Sequence, residues 1–423
     1  MLQLNYIREH EQEVIDRLLI KHFDGTEIIR KIAGLDDKRR ETQKLLDDIQ
    51  AKGNTIAREI GSLLKSGKKD EATSLKEQTV ELKNRAKDLD LLLSATKEEL
   101  ENLLVKVPNL PHPGVPPGST PEDNQVVEKE GESMDLGSNP LPHWDLAAKY
   151  DIIDFAAGNK ITGAGFPLYK GKGARLQRAL INFFLDKAIR NGYQEVQPPY
   201  VVNAASAYAT GQLPDKDAQM YHIPLDDLYL IPTAEVPVTN IYRDTLLKVH
   251  DLPLKNVAYS GCFRREAGSY GKDVRGLNRL HQFDKVEIVQ IVHPDRSYDA
   301  LEEMRHYVAG LLRKLELPFR VVKLCGGDMS FTSAMTYDME VWSAAQGRWL
   351  EVSSISNFET FQSNRMKLRF KDENGKIHLA HTLNGSALAL PRIVAAMLEN
   401  NQKPDGIRIP DALVPYTGYT IIS

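Results

Sequence analysis

Between residues 27 and 104 the chain alternates apolar and charged positions with a long, regular period. Apolar or small residues return at spacings of three, four and seven: Ile32, Leu35, Thr42, Leu46, Ile49, Ile56, Ile60 and Leu63. The series breaks at KSGKKD (65–70), which carries a Ser-Gly turn signal. It resumes as Leu75, Thr79, Leu82, Ala86, Leu89, Leu93, Leu100 and Leu103, with charges on the outer positions. Heptad-like spacing of this kind predicts two long helices folded back as an antiparallel coiled-coil hairpin. Helices of about 35 to 40 residues would make an arm roughly 50 to 60 Å long. The hairpin alone suits dimerisation or spacing. Lys65, Lys68 and Lys69, with Arg58 and Lys76 nearby, can touch phosphates, but charges roughly balance along the arm and read mostly as a solvated face.

The pattern changes after the arm. Residues 108–142 are rich in proline, glycine and acidic side chains (opening PNLPHPGVPPGSTPEDNQ), which predicts a linker or irregular wrap. The expected organisation is an N-terminal domain at 1–107, this linker, and a second domain at 143–423. Within the latter, 174–191 has an amphipathic helical stripe (Leu176, Leu180, Phe183, Phe184, Ala188). An alternating stretch at 194–202 follows, in which Pro198-Pro199 demotes a strand to an edge or an end. Residues 261–287 (GCFRREAGSYGKDVRGLNRLHQFDKVE) are strand-like at both ends and turn-rich between, and hold six arginines and lysines. Two antiparallel strands joined by a long loop over a polyanionic substrate fit that layout. From 383 (LNGSALALPR) a small-residue strand runs into a helix through Leu398.

Composition narrows the class. With 42% hydrophobic and 26% charged residues over 423 positions, the chain reads as an ordinary globular protein with a large core and a second unit. No apolar run approaches the roughly 20 residues of a membrane span, and the N-terminus is charged from the start, so neither an anchor nor a signal peptide is expected. Two cysteines, Cys262 and Cys325, make no disulfide framework and no C-x-x-C pair, and a reducing cytoplasm is the default location. A net charge of −4 argues against wholesale electrostatic capture of nucleic acid; RNA binding must come from local patches and shape.

The order F-R-x-E, loop, R-x-x-x-F in 261–287 closely resembles motif 2 of the class II aminoacyl-tRNA synthetases. With E-A-G-S, R-G-L-N-R and H-Q-F-D-K-V-E it is similar to the seryl-tRNA synthetase version. The helix and proline-ended strand at 174–202 resemble motif 1, and 383–392 resembles motif 3. The resemblance implies an α+β fold: a mixed, mainly antiparallel sheet flanked by helices, with the arm as a tRNA probe and motif 1 at a homodimer interface. It implies activation of L-serine by ATP and transfer to tRNA(Ser), with tRNA(Sec) as a further acceptor, and ATP and Mg2+ as substrate and cofactor.

Residue by residue, the resemblance gives Arg264 the α-phosphate, Glu266 the adenine amino group, Phe283 the adenine face and Arg279 the pyrophosphate end. Arg265 and Arg275 would steer ATP or the tRNA acceptor end, and Arg392 would meet the γ-phosphate. Glu351, Val352, Ser353 and Ser354 are assigned to ATP, with Glu351 and Ser354 as magnesium ligands through hard oxygens. Thr233, Ala234 and Glu235 resemble the T-A-E serine-binding loop; Glu287 recognises serine, with Arg264, Asn384 and Ser386 completing the pocket. The chemistry suits these residue types. The nucleophile is already a carboxylate, so no general base is needed, and permanently charged guanidinium groups can neutralise charge developing on phosphate. Two other readings stay open: a paralogue that charges a carrier other than tRNA, and an inactive RNA-binding scaffold.

Overall fold

A computed structural model of the chain describes residues 1–132, 136–137, 139–215, 218–266 and 275–423. The chain divides into two units, Met1–Leu19 with Phe23–Pro108, and Ile20–His22 with Asn109–Ser423.

In the first unit the expected hairpin is formed by α1 (Thr26–Lys65) and α2 (Lys69–Leu104), 40 and 36 residues long, so about 60 and 54 Å. The tight turn between them needs Gly67, whose φ of +80° lies in the left-handed region. The apolar stripe is buried near the base, at Ile29, Ile32, Leu46 and Ile49 on α1 and Leu93, Leu100 and Leu104 on α2. Farther out, Ile56, Ile60, Leu63, Leu75 and Leu82 are only partly covered. A two-helix hairpin has one seam, whereas the base gains further cover where helix Leu4–Glu9 packs against α1. One buried position on the stripe is charged: Asp36 accepts from Arg39 Nε at 2.8 Å and Arg8 Nη1 at 3.3 Å, which offsets its desolvation.

The second unit contains, in chain order, β1 (Gln125–Glu130), α3 (His143–Lys149), α4 (Gly171–Arg190), β2 (Gln194–Glu195), β3 (Leu254–Phe263), β4 (Gln282–Val292), α5 (Ser297–Lys314), β5 (Phe319–Lys323), β6 (Met335–Ser343), β7 (Arg348–Asn357), β8 (His381–Ala389) and α6 (Leu390–Asn400). The eight strands form one sheet in the order β1-β5-β6-β7-β8-β4-β3-β2. Every pair is antiparallel except β2 with β3 at one edge. The fold is therefore α+β with a mainly antiparallel sheet, as expected.

Two-residue alternation gives this sheet two different faces. On β6, Met335, Tyr337, Met339 and Val341 are buried, as are Val286 and Ile288 on β4 and Ile355 on β7; they join the core formed with α4, α5 and α6. The intervening residues, Thr336, Asp338 and Glu340 on β6 and Phe283, Lys285 and Glu287 on β4, floor a cleft on the opposite face. Beyond Glu287 that second face turns apolar at Val289 and Ile291, which pack with Ala209, Ala234 and Val238 from two short helices.

Two local expectations change. The segment read as a linker supplies β1, the outer strand of the sheet, and Asn109 Nδ2 ties its start to the carbonyls of Thr332 and Phe358, both at 2.9 Å. The strand expected over 194–202 is split into β2 and Val201–Asn203, because Pro198 and Pro199 between them cannot donate to a ladder. Pro391 sits in the first turn of α6, where a missing N–H costs nothing.

Candidate active site

The cleft has a volume of about 1220 Å³ and two unlike ends. Its inner end is built from charged groups taken almost wholly out of water. Glu235, Lys285 and Glu287 are 6%, 5% and 1% exposed. Lys285 Nζ lies 2.7 Å from Glu287 Oε2 and donates to Thr233 Oγ1 at 2.8 Å. Ser386 Oγ donates to the same Glu287 oxygen at 3.2 Å. Glu235 opens the short helix Glu235–Asn240, with its backbone N–H donating to Thr233 Oγ1 at 3.2 Å and its Oε1 accepting from Gln362 Nε2 at 2.7 Å. Burial, then the charge of Glu287, pushes the Glu235 carboxyl up to about 7. Asn384, on β8 two residues before Ser386, also faces the cleft. Ala234 is fully buried and contributes backbone to the turn, with its side chain in the core.

The outer end is wetter and aromatic. Arg264 follows β3, donates from Nε to the Pro232 carbonyl at 3.3 Å, and holds its guanidinium 5.2 Å from the centre of the Phe283 ring. Glu266 accepts from Arg279 Nη1 at 2.8 Å. Arg392, on the first turn of α6, donates from Nε to the Asn278 carbonyl at 3.1 Å and from Nη1 to the Glu351 carbonyl at 2.7 Å, and its Nη1 lies 3.6 Å from Glu351 Oε2.

Glu351 and Ser354 are three residues apart on β7, so an unbroken strand would send them to opposite faces. The register shows why they share one. Glu351 pairs with Glu340, and Ser353 with Met339, leaving Val352 as the extra residue of a bulge. Both Glu351 and Ser354 therefore line the cleft, with Val352 and Ser353 in the same wall. Ser353 Oγ donates to the Ser386 carbonyl at 2.5 Å, which joins β7 to the inner end.

Most residues chosen from the sequence thus meet in one cleft. Arg265 and Arg275 do not line it: Arg265 is exposed, and the Arg275 guanidinium rests 4.5 Å from the Trp144 ring centre. The middle of the loop, 267–274, lies outside the described residues. Three contributors were missed. Lys285, inside the motif-like 261–287 segment but given no role there, bridges Glu287 and Thr233. Gln362, from the short helix Phe361–Met366, had no signal at all. Asp338 is half-buried on the cleft floor with its inaccessible Oδ1 lacking a partner among the described residues, and desolvation, then the charge of Glu351, holds its carboxyl well above the usual range. Its signal was the polar alternation T-x-D-x-E along β6.

Residues 1–111 match the Seryl-tRNA synthetase N-terminal domain, and residues 221–401 match the tRNA synthetase class II core domain (G, H, P, S and T). Over 424 aligned positions the chain is 51% identical to the serine–tRNA ligase of Salinibacter ruber, covering 100% of this chain and 99% of that one. The chain belongs to the seryl-tRNA synthetase family. The serine–tRNA ligase of Akkermansia muciniphila is 46% identical, covering 99% of this chain and 98% of its own. Among solved structures, the seryl-tRNA synthetase from Pyrococcus horikoshii complexed with ATP superposes with a TM-score of 0.93 at 33% identity, covering 100% of this chain and 99% of that chain. The seryl-tRNA synthetase likeness thus extends through both units rather than through the catalytic core alone.

Proposed function

We propose that this protein activates L-serine with ATP to seryl-adenylate and transfers the seryl group to tRNA(Ser), with tRNA(Sec) as a second acceptor. The observation that carries this reading is the asymmetry of the cleft. Its inner end holds two carboxylates, Glu235 and Glu287, against the one ammonium of Lys285. A substrate ammonium restores neutrality there and draws the Glu235 proton off. The hydroxyl of Ser386 and the amide of Asn384 supply hydrogen-bond partners for a substrate hydroxyl. Alanine or glycine would leave such buried groups unpaired.

At the outer end, Phe283 packs on the adenine face, Glu266 accepts from its amino group, and Arg264 sits between adenine and amino acid, placed for the α-phosphate and the attacking carboxylate. Arg279 and Arg392 take the leaving pyrophosphate. The serine carboxylate attacks the α-phosphorus, the bond to the bridging oxygen breaks, and pyrophosphate carries that electron pair away. Holding two anions together while neutralising them with fixed cations supplies the catalysis.

The donor set on β7 fits magnesium. Glu351 and Ser354 offer hard oxygens on one face because of the Val352 bulge. These two side chains would hold the ion, and phosphate oxygens of ATP would supply its remaining hard donors. The ion, when bound, offsets phosphate charge. The arm reads tRNA by shape and backbone contacts that weaken with salt. A homodimer through α4 and the β2 edge, and a cytoplasmic location, complete the reading.

The decisive experiment is ATP–pyrophosphate exchange with serine, threonine, alanine, glycine and cysteine side by side. Exchange with serine alone is expected; no exchange with any of the five overturns the assignment. Deleting residues 27–104 is expected to remove tRNA charging and spare serine activation.

A further inference from the structure

A buried polar network backs the returning end of the β3–β4 loop, and its centre does not line the cleft. His143 on α3 and Glu399 on α6 are both fully buried, with Nδ1 and Oε1 2.8 Å apart. Leu277 N–H donates to His143 Nε2 at 2.9 Å. Because Nε2 accepts, the ring is neutral, and its proton sits on Nδ1 and is donated to Glu399. Glu399 also accepts from the backbone N–H of His143 at 3.1 Å, from Ala345 N–H at 3.3 Å, from Gln346 Nε2 at 3.1 Å and from the Ser343 hydroxyl. Burial alone would push this carboxyl up; the hydrogen bonds from His143 and Ser343 outweigh it and hold it below the usual range.

From this centre two struts reach the cleft. Gln346 Oε1 accepts from Asn278 Nδ2 at 3.0 Å, and the Asn278 carbonyl in turn accepts from Arg392 Nε at 3.1 Å. Arg392 and Glu399 lie two turns apart on one face of α6. The fit around the imidazole is close. Gly276 has φ +66°, and a Cβ there would come within 2.2 Å of His143 Nε2. An ionised carboxylate with this many donors is costly to bury for packing alone, whereas it gives a neighbouring loop one fixed position.

We propose that the His143–Glu399 pair is a positioning device for the nucleotide end of the cleft: it pins the loop at Leu277 and Asn278, and through Asn278 fixes the guanidinium of Arg392. This rests on the reading of that end as the ATP site. Two variants separate the parts of the device. His143→Asn keeps a donor for Glu399 but is too short to accept from Leu277; His143→Gln can still reach Leu277 and gives up the Nδ1 donor. In serine-dependent exchange, His143→Asn is expected to raise KM for ATP about tenfold while serine KM stays within about twofold, with His143→Gln in between.

An unchanged ATP KM in folded His143→Asn, or ATP and serine KM rising together, overturns the proposal. Should His143→Asn fail to fold, half-buried Gln346→Ala removes the Asn278 strut together with one donor to Glu399, and leaves the His143–Glu399 pair and its Leu277 contact in place. It is then expected to raise ATP KM about threefold, and no change overturns the proposal. Wild-type protein measured alongside separates the two failures. No exchange by the wild type overturns the ATP-site reading and this proposal with it. An active wild type with unmoved variants overturns the positioning role only.

Discussion

The two ends of the cleft solve opposite problems. The inner end buries its charges and pairs them through short, fixed contacts, among them Lys285 with Glu287 and Gln362 with Glu235. At the outer end the pairs are partly wet: the side chains of Arg279 and Glu351 are 45% and 49% exposed, and their partners, Glu266 and Arg392, are the groups that ATP would also engage. A small ligand such as serine offers few contacts, so discrimination must come from polar groups that lose heavily when unpaired. A nucleotide brings several charges of its own, and its site can keep exchangeable ion pairs worth little in water.

The largest test of this contrast is at its junction. Arg264→Ala is expected to lower exchange by at least about a thousandfold, because in the proposed reading its guanidinium serves both ends, while melting within a few degrees of wild type. Unchanged exchange would remove the junction. Glu287→Gln probes the inner end alone: serine KM is expected to rise about a hundredfold with ATP KM within about threefold. If both constants moved equally, the two ends would not be separate sites.

A pH series is the next step down. With the Glu235 carboxyl raised to about 7, the free protein below that pH holds it protonated, and a serine ammonium must displace that proton. Serine KM is therefore expected to rise up to about tenfold per unit as pH falls below about 7, and a flat profile would contradict an acid at that position. The stability effect runs the other way. The unfolded chain loses this proton near the usual value of about 4.3, so across about 4.3 to 7 the native state binds more protons and stability falls as pH rises. Glu235→Gln is accordingly expected to melt higher than wild type at pH 8. Smallest of all, Glu266→Gln breaks a half-exposed pair and should change stability by no more than about 0.5 kcal/mol, within the scatter of a melting curve.

The large elements were legible because their patterns are long. The heptad stripe gave α1 and α2, the amphipathic stripe gave α4, and the turn-rich centre of 261–287 gave the loop between β3 and β4. Resemblance rather than periodicity brought Glu351 and Ser354 together. Alternation alone would have separated them, and the Val352 bulge that reunites them depends on pairing with β6, which no local pattern encodes. Gln362 and the His143–Glu399 pair were invisible for the same reason: their partners lie between 56 and 256 residues away. The proline-rich segment misled in the other direction, since its composition described its ends and not the strand within it.

That strand has a consequence for how the protein survives its own concentration. Without β1, the ladder of β5 (FRVVK) would stand as a raw edge, open to the same strand of another molecule. β1 covers it with QVVEKE, a short strand kinked at Val127. Its Glu128 and Glu130 are clamped to Arg313, and Glu128 also to Arg305, both on α5. The exposed rim thus presents a bend and a row of charges where a flat apolar edge would nucleate aggregates. Proteolytic nicking that frees β1 is therefore expected to expose the β5 edge and lead to precipitation.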